Sequence, residues 1–143
     1  MKETRFAYVA GLIDADGSLY ISKNTNEQGY VRYDPIITIT STHLPTVKWL
    51  VKIFGGTYRR SVWKKGEGED YYKWLFSSDK HASRFLDRVL PYLWLKKYQA
   101  FVLKEYYGLE GAQDKHKREN LYQQMGDLNH NLSVTPNTSS LSL

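Results

Sequence analysis

Two aspartates, Asp14 and Asp16, close the stretch YVAGLIDADGSLYIS (8–22), in which an apolar helical pattern gives way to an alternating strand. A carboxylate in the last turn of a helix lies near the negative end of the macrodipole, where a cation is preferred. A hard divalent cation would offset both that penalty and the partial burial expected beside a sheet. Mg²⁺ takes carboxylate, backbone carbonyl, water and phosphate oxygens, a set suited to phosphodiester hydrolysis. Asp-Gly at 16 and 17 is equally an ordinary turn signal, so the pair alone leaves both a metal site and a turn open.

Positioning those acids requires the elements around them. Arg5 to Asp14 reads as a helix apolar nearly all round, which implies burial on every side. Its stripe Ala7, Ala10, Gly11 and Asp14 carries small residues until the acid, a spacing that fits a close helix-to-helix contact. Strands follow at Ser18 to Asn24 and at Val31 to Ser41. STHLPTVKWLVKIFGG is a helix capped by Ser41 or Thr42, with Pro45 in its first turn and the glycine pair stopping it. Strands at Thr57 to Lys64 and Tyr71 to Ser77 flank the hairpin connection KGEGED. Helices are expected from Asp79 to Pro91, from Lys96 to Tyr107 and, more polar, from Gln113 to Asp127. This order defines an α+β domain over residues 1–127, with one four-stranded, mostly antiparallel sheet covered on a single face, and a polar tail at 128–143.

The uncovered face of that sheet is the second place where chemistry is expected. Out of phase with the apolar positions stand Ser18, Tyr20, Ser22 and Asn24, then Thr38, Thr40 and Thr42, then Arg59, Ser61 and Trp63, then Tyr71 and Lys73. An exposed antiparallel face is polar for no other reason than meeting water. Hydroxyl, amide and guanidinium groups are also those that pair with base edges, and a strand surface can lie in a major groove. The scarcity of acids on this face, the run YRR at 58–60 and a formal net charge of +5 favour a nucleic-acid partner. A chain of 143 residues without cysteine excludes disulfides, thiolate zinc and a cysteine nucleophile. With no apolar run long enough to span a bilayer, an intracellular location is expected, in cytoplasm, nucleoid or organelle matrix.

VAGLIDADGS, Val9 to Ser18, resembles the signature of the LAGLIDADG homing endonucleases, with Val9 in place of the initial Leu. Chain length and the helix-hairpin-helix-hairpin order are similar to the single-motif, homodimeric branch. The resemblance implies a homodimer joined through Ala7, Ala10, Gly11 and Asp14, and a saddle that binds double-stranded DNA at a long pseudo-palindromic site. It implies that Asp16, with the backbone carbonyl of Ala15, binds Mg²⁺ or another divalent cation such as Mn²⁺, and that Asp14 is structural. The segment LPYLWLKKYQA resembles the one carrying the family's basic residue, here Lys96 with Lys97 as rival. His43 occupies the place of a water-positioning residue that is often Gln in the family. The alternative of the same fold is an RNA-binding maturase, with intron RNA as partner.

Overall fold

The computed structural model describes residues 2–62, 68–76, 79–111 and 114–130. Helix α1 (Glu3–Asp16) passes directly into strand β1 (Gly17–Thr25), and Gly17 makes that junction possible. Its N–H donates to the Ile13 carbonyl. A Cβ at this position would lie 2.7 Å from the Ile13 Cα, 2.8 Å from its carbonyl oxygen and 3.0 Å from the Thr38 carbonyl oxygen. The φ of −92° is open to any residue, so what demands glycine is the approach of helix end to neighbouring strand.

β1 turns into β2 (Val31–Ser41) through a loop in which Asn26 Oδ1 accepts the N–H groups of Gln28 and Tyr30 and Gly29 adopts φ 87°. After α2 (Leu44–Phe54) come β3 (Thr57–Ser61) and β4 (Tyr71–Phe76). Then follow α3 (Asp79–Val89), a 3₁₀ turn (Leu90–Tyr92), α4 (Lys97–Tyr107) and α5 (Lys115–His130). The sheet order is β1-β2-β4-β3 and every neighbouring pair is antiparallel. Directly opposed residues share a face, so Leu19 with Ile37 and Phe76, and Ile39 with Trp74, form the covered side. They pack on Val9, Ile13, Leu50, Leu86 and Leu103, all fully buried. Each such side chain contributes about 1.5–3 kcal/mol by leaving water. Trp74 keeps its indole N–H satisfied by donating to the Gly55 carbonyl at 2.8 Å.

Four sequence expectations are corrected. α1 is buried on one side only: Phe6, Val9, Ala10 and Ile13 face the core, while Ala7, Tyr8 and Gly11 are exposed. Alanine and glycine count as apolar in a pattern yet lose little by facing water, which is why the helix looks apolar all round. Neither Ser41 nor Thr42 caps α2; His43 precedes it without a side-chain cap, and Ser41 Oγ accepts the His43 N–H instead. β3 ends at Ser61, and Trp63, part of the expected face, lies outside the described residues, as do Lys64 and Ser77. α5 runs past the expected boundary at 127: Leu121, Met125 and Leu128 are buried, and Asn129 Nδ2 donates to the Leu19 carbonyl at 3.0 Å. Of the expected tail, 131–143 lie outside the described residues. No helix among the described residues is long and apolar enough to cross a membrane.

Candidate active site and nucleic-acid interface

The end of α1 leaves its last carbonyls without intrahelical partners, and a lysine takes two of them. Lys96 Nζ donates to the carbonyls of Ile13 at 2.9 Å and Asp14 at 3.1 Å. A cation there complements the macrodipole. Burial pushes the Lys96 ammonium below the ordinary lysine range, against the opposing pull of Asp14 and Asp16. Its neighbour Lys97 is the first residue of α4, so of the two it is Lys96 that reaches the end of α1.

Asp14 explains how that lysine comes to be there. Its carboxylate accepts the N–H of Trp94 through Oδ2 at 2.8 Å and that of Lys96 through Oδ1 at 3.0 Å. The first acid of the pair thus clasps the segment leading into α4, across eighty residues of sequence, and the side chain of the same segment reaches back to the helix end. Nothing in the local pattern around Trp94 announces this contact, because a bond from backbone N–H leaves no mark on residue type.

Asp16 is different. It is exposed, and among the described residues its carboxylate accepts no hydrogen bond and joins no ion pair. It stands beside an ammonium, at a helix terminus whose dipole disfavours it. Ala15, also exposed, brings a last-turn carbonyl to the same place. One carboxylate and one carbonyl fit a hard cation only if waters, phosphate oxygens or a second chain complete the set. No group of three or more His, Cys, Asp or Glu side chains placed to hold a metal ion occurs among the described residues.

His43 stands exposed at the end of β2, its Nδ1 2.6 Å from Thr46 Oγ1, which leaves Nε2 as the ring atom open to water. The expected helix-contact stripe divides. Ala7 and Gly11 are exposed, and a Cβ on Gly11 would meet nothing within 4 Å. Ala10 is fully buried in the chain's own core and is unavailable to a partner; Asp14 is occupied by the Trp94–Lys96 segment. Beside them Trp94 is 84% and Leu95 67% exposed.

Strand register gathers the expected face residues on one side of the sheet. Ser18 opposes Thr38, and Thr40, Lys73 and Arg59 form a row across β2, β4 and β3, with Tyr71 opposite Ser61 beyond it. Tyr20, Ser22 and Asn24 continue along β1, and Thr42 lies exposed just past β2. Thr38 departs from expectation: it is 4% exposed, a short side chain on a central strand between Ser18 and Leu75. Two residues that the composition of the face had not suggested join it, Arg32 opposite Asn24 and Asp34 opposite Ser22. Extending the phase of Ile36, Thr38 and Thr40 backwards along β2 reaches both.

With this architecture the chain belongs to the LAGLIDADG-like domain family, whose model matches residues 3–90. Among solved structures it is similar to the homing endonuclease I-CvuI in complex with its target in the presence of calcium. The TM-score is 0.74 at 23% identity, over 96% of this chain and 90% of that one. It is likewise similar to the archaeal intron-encoded homing endonuclease I-Vdi141I complexed with DNA, with a TM-score of 0.71 at 22% identity over 93% and 95% of the two chains. A third likeness, to the group I intron-encoded I-CeuI complexed with DNA, has a TM-score of 0.62 at 17% identity over 87% and 67%. At these identities the likeness is one of fold, and the fold is that of the homing endonucleases. No curated protein matches the chain.

Proposed function

We propose that this chain is a divalent-metal-dependent DNA endonuclease that acts as a homodimer and cuts both strands of a long pseudo-palindromic site. The observation that carries the reading is the exposed Asp16 carboxylate, without a hydrogen bond or ion pair among the described residues, at the helix end that Lys96 binds and at the edge of a polar, basic sheet face. The DNA complexes of I-CvuI and I-Vdi141I support the choice of partner.

In this reading Asp16 and the Ala15 carbonyl hold Mg²⁺, or Mn²⁺ in its place. When bound, the cation supplies Lewis-acid stabilisation of the charge that builds on the phosphate. Lys96 brings a fixed positive charge to the same centre, held in place by the α1 carbonyls rather than by a flexible surface. His43 orders water through Nε2. A second copy meets the exposed side of α1 at Ala7 and Gly11, placing two Asp16 carboxylates near one axis. Two-fold symmetry then makes the target nearly palindromic. Arg59, Lys73, Thr40, Ser61, Tyr20, Ser22, Asn24 and Thr42 contact DNA across the saddle.

Asp16→Asn should abolish cleavage and leave DNA binding nearly intact. Retained cleavage would overturn the assignment. Tight binding to intron RNA with stimulated splicing, and no cleavage of DNA by the native chain, would instead establish the maturase.

A further inference from the structure

Arg32 and Asp34 stand two apart on β2, on the same open face as Asn24 and Ser22, which oppose them on β1. The Arg32 Nε–H donates to Asp34 Oδ1 at 3.2 Å, and the other carboxylate oxygen, Oδ2, completes the ion pair at 3.1 Å from Nε. The arginine side chain is 79% exposed and the aspartate 35%. Arginine carries five donors in a planar fork. With Nε engaged, the two terminal amino groups, which have no partner among the described residues, form the leading edge. A carboxylate on a face meant for a polyanion is a cost unless it does something for a neighbour.

The geometry points to Arg32 as a specificity-determining residue that pairs its terminal fork with O6 and N7 of a guanine, and to Asp34 as the positioning residue that aims it. This rests on the proposed reading of the sheet as a DNA-binding face. An end-on fork matches the guanine edge in the major groove, the commonest specific arginine contact. Asn24, across the strand pair, is placed to hydrogen-bond the adjoining base. Arg32 opposes a residue six positions along β1 from Ser18, which adjoins the Asp16 end. At ~3.3 Å per residue this is about 20 Å. At 3.4 Å per base-pair step along the duplex, the guanine lies about six base pairs outward from the cut in each half-site.

The test selects bound sites from a randomised palindromic DNA library with the native full-length chain, Arg32→Ala and Asp34→Ala, and measures binding to unrelated duplex DNA in parallel. The native chain should recover a site with guanine near that distance. Arg32→Ala should lower the preference there about tenfold or more and leave other positions unchanged. Asp34→Ala should lower the same preference several-fold while binding to unrelated DNA holds or strengthens, because a negative charge has been removed. That split separates aiming from mere repulsion. A recovered site without guanine at that distance, a uniform loss across positions in Arg32→Ala, or an unchanged preference in Asp34→Ala would overturn the inference and leave the endonuclease reading standing. A native chain that selects no site at all would overturn both.

Discussion

Removing the Asp14 carboxylate tests how the active-site segment is built. In Asp14→Ala the N–H groups of Trp94 and Lys96 lose an ionised acceptor at 2.8 and 3.0 Å. Hydrogen bonds to charged groups contribute about 1.5–3 kcal/mol each, and the half-buried position argues for the lower part of that range. Together the two amount to about 3–4 kcal/mol. Against this, the substitution relieves a carboxylate at a helix C-terminus, worth about 0.3–1 kcal/mol. The net loss is then about 2–3.7 kcal/mol. For a chain of this size each kcal/mol moves Tm by about 3–4 °C, so the Tm followed by circular dichroism should fall by about 6–15 °C. Asp14→Asn keeps one carbonyl oxygen and should lose about half as much. The loss should be the same with and without Mg²⁺, because Asp14 spends its oxygens on backbone. A fall of less than about 2 °C, or one that appears only with metal present, would refute the clasp.

Two further outcomes follow from particular contacts. Gly17→Ala sets a Cβ within 2.7 Å of backbone that cannot move aside, so a loss of about 3 kcal/mol is expected by thermal melting. A Tm within ~2 °C of native would contradict the close approach. Glu119 accepts hydrogen bonds from Lys23, from Tyr33 Oη at 3.1 Å and from Gln123 at 3.3 Å, and these, Lys23 first, hold its carboxyl below the ordinary range. A carboxyl lowered on folding adds stability above about pH 4.3 that is lost as pH falls through the folded value. Glu119→Gln should therefore lower Tm at neutral pH, where the native carboxylate is ionised, and flatten the acid limb of Tm against pH below about 4.5. An acid limb as steep as native would count against that cluster.

Much of the fold was legible because the relevant periods are strong. Alternation of Leu19 and Ile21, and of Ile37 and Ile39, marked the covered sheet face, and the same phase put Thr40, Lys73 and Arg59 on the open one. What misled was residue size. Ala7, Ala10 and Gly11 look alike as small apolar residues, yet Ala10 points into the core and the other two out, a difference of one helical step that composition cannot resolve. The polar look of α5 hid Leu121, Met125 and Leu128, which recur at three- and four-residue spacing and pack beside β1. In the candidate site, the acids at 14 and 16 were visible as a pair, but their separation into a clasp for Trp94 and Lys96 and an open carboxylate depends on a contact between distant segments. The ion pair of Arg32 with Asp34 escaped because the open face of β2 was read from its threonines alone, whereas the same alternation carried back along the strand reaches both residues.

Whether Asp16 serves metal-dependent cleavage of DNA is decided by cutting of a randomised palindromic DNA library by the native chain and by Asp16→Asn, each with Mg²⁺ and with EDTA. The native chain should cleave at one recovered site with Mg²⁺ alone, and neither the variant nor the native chain in EDTA should cleave. Cleavage that survives either EDTA or Asp16→Asn would contradict it, as would a native chain that cuts nothing with Mg²⁺ present.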